Sequence, residues 1–302
     1  MEQRIALVTG ATAGIGLATA TELTRRGHRV ILGARGEDRA EAARVHVLQH
    51  TGVRPDVLYL DLADLDTVRA AADQLTHRVP RLDVLVNSAG HTFLEHARTV
   101  QGHEASFGVN VLGPFLLTSL LEPLLAASFK ARIVDLAGIY ALRGEIDVDD
   151  LFFDKRGFDL WRVANTTQQA RVMLVEERAH RLPPHVTINA VHPGAVLTDA
   201  QKHLPWHVRL LLHTVMRPGF VKPPAGAAPV VHLATSPQLE GVTGRFFRRF
   251  REQPTGHDPA VTGALWVRCL DLVAPGDMVD LTPRTGRNHP APTASASPQE
   301  AV

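Results

Sequence analysis

Cysteine is all but missing from this chain: its 302 residues include one, Cys269. No internal disulfide can form and no thiolate cluster is on hand for a metal, so a reducing, cytoplasmic setting is expected. Neither sign of charge is in excess, since 32 Lys and Arg stand against 31 Asp and Glu for a net charge of +1. That leaves no broad basic field to draw nucleic acid or an anionic membrane. Long hydrophobic runs are lacking as well. The longest, residues 111–127, is interrupted by Pro114, Glu122 and Pro123 and reads as a buried helix, not a membrane span. Met1, Glu2, Gln3 and Arg4 lead straight into a strand-like stretch with no signal-peptide core. His203 and His207 stand four apart, but no acidic partner lies near them, so no metal is expected. A hydrophobic share of 45% with 21% charged residues excludes a wholly disordered chain. What remains is the expectation of a soluble cytosolic α/β protein.

The chain is organised as alternating elements. Runs of strand length at 5–8, 30–32, 57–60, 84–86, 132–136 and 186–191 are separated by helical patterns at 16–26, 37–49, 64–77, 102–127 and 161–182. Strand, helix, strand at this spacing demands right-handed crossovers and a parallel sheet covered on both faces. The near-continuous apolar strands agree with burial on two sides. One domain over residues 1–275 is expected. A lid-like insertion is expected at about 200–220, where Leu204, Val208, Leu211, Leu212 and Val215 follow helical spacing. A plain packing helix is the alternative there. The run FFRRFR at 246–251 mixes arginine with aromatics as nucleic-acid surfaces do, but reads better as a last strand ending in a solvated turn. A closing helix is expected over 258–273. Proline, alanine, serine and threonine dominate 284–302, the composition of a disordered tail.

The strongest local signal is TGATAGIG, Thr9 to Gly16, between the first strand and the first helix. Gly10, Gly14 and Gly16, with Thr12 and Ile15 between them, strip side chains from a turn where backbone must approach a pyrophosphate. The helix behind them points free N–H groups and a positive dipole end at the anion. The spacing is G-x-x-x-G-x-G, and the strand–turn–helix context is that of a Rossmann-like, doubly wound sheet. At the end of the second strand stands Arg35, whose guanidinium suits the 2′-phosphate of NADP(H). NAD(H) prefers a carboxylate there, and Glu37 and Asp38 keep it open.

With further motifs in the same order, the sequence resembles the short-chain dehydrogenase/reductase family over roughly residues 4–275. Asp61-Leu62 is similar to the family's adenine contact. Asn87-Ser88-Ala89-Gly90 is close to its NNAG motif, and Asn110 in FGVNVLGPF matches its active-site asparagine. Pro193, Gly194 and Thr198 of HPGAVLTD stand where the family lines the nicotinamide. DDLFFDKRGFDLW and NAVHPGAV look most like the retinol-dehydrogenase-like branch. That branch implies NADP(H)-dependent interconversion of carbonyls and alcohols.

The departures from the family carry as much weight. Its fifth strand ends in a pair of serines, and Gly138 stands at the second. Its branch then reads W-R-A-Y-x-x-S-K, where this chain has Trp161, Arg162, Val163, Ala164 and, four residues on, Gln168. The resemblance thus places Ala164 on the catalytic tyrosine and Gln168 on the lysine. Loss of a positioned acid alone typically costs about 10²–10⁴ in rate. Tyr140, two residues past Gly138, is a candidate replacement acid or a pocket wall. Asp135, three before Gly138, is expected to point to the opposite face of the strand and to be structural. His192 lies beside the nicotinamide positions without a role in the branch. Asn165, Thr166 and Thr167 are candidates to position a water. Glu145, Asp147, Asp149, Asp150 and Asp154 read as a solvated or capping run.

Three functions stay open. The first is an NADP(H)-binding protein doing non-redox chemistry (cyclisation, dehydration or isomerisation) on a small apolar metabolite. The second is an NAD(P)H-dependent carbonyl/alcohol oxidoreductase with a replacement proton donor. The third is a non-catalytic dinucleotide-binding or partner module. The long helices are also compatible with a homo-oligomer.

Overall fold

The computed structural model describes residues 3–138, 141–142, 144–194 and 221–274. The expectations placed on Tyr140, Thr198, His203, His207, the segment 200–220 and the tail 284–302 fall outside these residues.

The first half follows the expected alternation: β1 (Ile5–Thr9), α1 (Gly14–Arg25), β2 (Arg29–Ala34), α2 (Glu37–Thr51), β3 (Asp56–Tyr59), α3 (Leu65–Arg78) and β4 (Val84–Asn87). β1 is buried along its whole length, which is why it reads as an unbroken apolar run. α3 opens on Asp64, whose carboxylate accepts the N–H of Asp66, and it buries Leu65, Val68, Ala72 and Leu75 as an i, i+3, i+7 stripe.

The run expected as one helix over 102–127 is instead broken. It comprises α4 (Ala105–Phe107), a π-helical turn at Gly108–Leu112, α5 (Gly113–Leu120) and α6 (Glu122–Ala126). The break after α5 coincides with Pro123, which cannot continue a hydrogen-bond ladder. At the start of α5, a Cβ on Gly113 would come 2.7 Å from the Leu62 carbonyl oxygen. The helix is therefore pressed onto the loop after β3, and a glycine is needed at the contact.

β5 (Ala131–Leu136), α7 (Leu160–Ala179), β6 (Val186–His192), α8 (Pro223–Thr235), β7 (Arg245–Arg248), β8 (Arg251–Gln253) and α9 (Pro259–Val273) complete the described elements. The strand order is β3-β2-β1-β4-β5-β6-β7-β8. β1 to β7 run parallel, and β8 returns antiparallel to β7. The sheet is thus not wholly parallel as expected. Arg249, at φ 57°, turns the chain back, and its N–H donates to the His192 carbonyl at 2.8 Å.

Two apolar layers flank the sheet. One packs Leu7, Ile31, Leu85 and Ile133 against α3, α5, α7 and α9. The other packs Val8, Leu32, Val86 and Val134 against α1 and α8. The order reverses between β1 and β4. At such a switch point the carboxyl ends of neighbouring strands splay their loops apart, and a crevice opens.

Candidate active site

At that crevice the two loops are tied together: the Ala89 N–H donates to the Thr9 hydroxyl at 3.1 Å. The loop after β1 is a cradle of bare backbone. Gly10 sits at φ 63° and Gly14 at φ 56°. A Cβ on Gly10 would lie 2.8 Å from the Ala89 Cα, and one on Gly16 would lie 2.3 Å from the Gly10 carbonyl oxygen. Real Cβ atoms do not approach that closely, so α1 meets the turn only because position 16 is glycine. Ala13 supplies no side-chain cap to α1, and its first turn holds no acidic residue. α3, α7 and α9 are by contrast capped by Asp64, Asp159 and Asp258. The free N–H groups of α1, with Thr12 and Ile15 half-buried beside them, fit the pyrophosphate of a dinucleotide.

The residues expected to contact the adenosine follow the neighbouring strands β2 and β3. Arg35 follows β2, is exposed, and makes no ion pair among the described residues. It leads into α2, whose first turn holds Glu37 and Asp38. Asp61 lies two residues beyond β3. One of its carboxylate oxygens accepts the Ala63 N–H at 3.0 Å, while Leu62 is buried.

The loop after β4 is shaped from below. Asn87 is fully buried and donates to the Thr118 hydroxyl at 3.0 Å and to Asp135 at 3.3 Å. Asn110, on the π-turn, holds His91 at both backbone atoms, accepting its N–H at 2.9 Å and donating to its carbonyl at 2.6 Å. Gly90 lies against both, for a Cβ there would stand 2.9 Å from the Asn110 Oδ1. Asn110 thereby positions this loop. On β6 and beyond it, Pro193 is buried and Gly194 adopts φ 101°.

α7 presents one face to this region. Ala164, Gln168 and Arg171 recur at helical spacing. Arg171 is buried. Its guanidinium donates to the carbonyls of Asn87 at 2.8 Å and Ala89 at 3.3 Å, and pairs with Asp135 at 3.1 Å. Asp135 therefore faces α7. It was expected on the face opposite Gly138, yet the Gly138 N–H also reaches α7, donating to Gln168 Oε1 at 2.6 Å. β5 ends at Leu136, so strict alternation no longer governs position 138. Asp135 is structural, as expected, but nothing in the sequence had singled out Arg171.

Among the described residues, the other candidates named from the sequence show no unpaired hydroxyl. Thr166 and Thr167 are buried, their hydroxyls donating to the carbonyls of Glu145 at 3.1 Å and Ala164 at 3.0 Å. Asn165 keeps a buried, unpartnered Oδ1. His192 is buried, with Nδ1 3.4 Å from the Ala137 carbonyl. Burial lowers its pKa below the ordinary histidine value, the Ala137 carbonyl opposes that, and Arg248 adds to the lowering, so a neutral ring is expected at pH 7. In the acidic run, burial alone would raise the Asp150 pKa. The N–H groups of Lys155 and Arg156 and the Arg156 guanidinium instead hold it below the usual carboxylate value. The run staples its own loop, and the described residues hold no cluster of three metal-ligating side chains.

Comparison with known proteins agrees with this geometry. A family profile described as short chain dehydrogenase matches residues 4–148. Retinol dehydrogenase 14 of Mus musculus is 39% identical over 283 residues, covering 88% of this chain and 84% of its own. Among solved structures, an uncharacterized protein from Mycobacterium Paratuberculosis superposes with a TM-score of 0.71 at 29% identity, covering 90% of this chain and 93% of the other. A short chain dehydrogenase from Escherichia coli CFT073, complexed with NADPH, superposes with a TM-score of 0.65 at 24% identity, covering 83% and 98%.

Proposed function

This chain belongs to the short-chain dehydrogenase family, and from that premise we propose that it binds NADP(H) in a cytoplasmic setting and performs non-redox chemistry on a small apolar carbonyl or alcohol. Cyclisation, dehydration and isomerisation are the reaction classes in view. One observation carries the reading. Where β5 meets α7, the Gly138 N–H is taken up by the neutral Gln168 amide, and one turn earlier Ala164 has no proton to give. The tyrosine on β3, Tyr59, lies in an edge strand beyond β2, β1 and β4 from β5.

Gly10, Gly14 and Gly16, with the N–H groups that open α1, would hold the pyrophosphate. Arg35 would hold the 2′-phosphate, and Asp61 would approach the adenine. Bound, the nicotinamide supplies a hydride donor or acceptor. Among the described residues, those at the β5–α7 junction would orient the substrate oxygen, and Gly138, Ala164 and Gln168 offer no acid beside it to complete a reduction.

Fluorescence titration with NADPH tests the first half. Arg35→Ala should weaken NADPH at least about tenfold and leave NADH unchanged. Absorbance of the reduced cofactor with aldehydes, ketones and quinones tests the second half. The wild type should show no oxidation above background, whereas Gly138→Ser, Ala164→Tyr and Gln168→Lys together should create it. A second reading, an NAD(P)H-dependent carbonyl/alcohol oxidoreductase with Tyr140 or water as proton source, draws support from the retinol dehydrogenase relative. Steady wild-type turnover that falls in Tyr140→Phe would favour it. Cofactor binding with no conversion or binding of any carbonyl would leave a non-catalytic dinucleotide-binding module.

A further inference from the structure

We infer that Gln168 grips the substrate oxygen, its side-chain N–H groups standing in for a hydroxyl at position 138. The inference deepens the carbonyl reading above and rests on it. An amide has one accepting end and one donating end. Only the oxygen can face the Gly138 N–H, and it does so at 2.6 Å, which settles which way the amide points. Nε2 then faces away from Gly138, and among the described residues it has no partner.

The position of the amide matters as much as its polarity. A Cβ on Gly138 would lie 2.8 Å from Gln168 Cγ and 3.3 Å from its Oε1. The carboxamide therefore fills the volume that a side chain at 138 would take, at the carboxyl edge of β5. It is half-buried, as is Ala164 one turn before it, whose methyl group is far smaller than a phenol ring. Arg171, one turn further on, is buried and already donates from both terminal nitrogens to two carbonyls and Asp135, with only its buried Nε unpartnered, so the half-buried Gln168 is the better-exposed of the two donors.

A neutral amide bonds an oxygen more strongly as negative charge gathers there, yet it releases no proton. Such a donor suits a carbonyl that gains charge transiently and returns to neutral. It does not suit one that must leave as an alcohol.

Infrared spectroscopy of bound ketones carrying a ¹³C carbonyl tests this, with the enzyme saturated with NADP and cyclohexanone, acetophenone and decan-2-one as probes. The carbonyl stretch of a ketone bound to the wild type should fall below its value in hexane. In Gln168→Leu it should return toward the hexane value, and affinity should fall about tenfold. Gln168→Glu retains an oxygen for the Gly138 N–H but loses the donor. It should bind ketones more weakly as well, and it carries the comparison if the leucine variant does not fold. A bound ketone whose stretch is the same in wild type and both variants overturns the role of Gln168 alone. Cofactor binding with no ketone bound to the wild type overturns the carbonyl reading, and this inference with it.

Discussion

The loop after β1 and the junction of β5 with α7 sit at the same edge of one sheet, but they are made of different material. The first is backbone: glycines at φ 63° and φ 56°, and a helix end left without a side-chain cap. The second is side chain. Gln168 closes on Gly138 at 2.6 Å, and Arg171 pairs with buried Asp135 at 3.1 Å. A backbone cradle tolerates no added atom, whereas a cluster of side chains can be exchanged for a different cluster that packs equally well. The β5–α7 junction is accordingly not a void left by missing groups. It is a substitute lattice of hydrogen bonds joined to a buried ion pair.

If the lattice is truly desolvated, Arg171→Leu should have the largest effect. It would strand the Asp135 carboxylate in the interior and cost about 3–5 kcal/mol of stability. Removing both partners, as Asp135→Leu with Arg171→Leu, should recover most of that loss. Denaturant unfolding checks both, and a single-variant cost under about 1 kcal/mol would mean that water reaches the pair. Gly16→Ala probes the other region. With 2.3 Å between the new Cβ and the Gly10 carbonyl, α1 must retreat from the turn. NADPH affinity should then fall about 100-fold, equivalent to nearly 3 kcal/mol. Unchanged affinity would place the cofactor elsewhere.

The smallest effect comes from pH. His28, His103 and His192 all have folded-state pKa values lowered first of all by burial. The unfolded chain therefore binds protons that the folded chain refuses. Their contribution is intact above the unfolded value of about 6.5 and is lost as pH falls below it. The thermal midpoint should be level from pH 8 to 7 and decline between about pH 6.5 and 5. His192 belongs to the edge beside Gly138, while His28 lies at the start of β2, distant from both regions. Replacing each with glutamine shows how much of the decline belongs to the site. A flat profile through pH 5 would contradict the burial of all three.

The six strands from β1 to β6 were legible to within one or two residues because each is a short apolar run bounded by breakers. The cradle was legible because glycine leaves its mark in the sequence itself. What stayed hidden depends on partners far apart in the chain. Asp135 and Arg171 are separated by 36 positions, and no local pattern reveals that a strand aspartate and a helix arginine will share a buried pocket. α8 was missed because prolines at its start and at Pro229 look like breakers, although the first turn of a helix accepts proline. β8 is three polar residues, Arg251, Glu252 and Gln253, with nothing apolar to announce a strand. The contact of Gln168 with Gly138 joins departures from two motifs 30 positions apart, and neither motif alone reveals it.

The π-turn at Gly108–Leu112 amounts to a spare residue folded into a helical path. Each residue of a regular helix advances the azimuth by about 100°, so excising one there would restore ordinary winding and rotate everything upstream by that amount relative to α5. Asn110 would swing off His91, and the loop after β4 would lose its bracket while the apolar rim of α5 stayed seated. In this protein, the aim of one asparagine is set by a miscount in the winding.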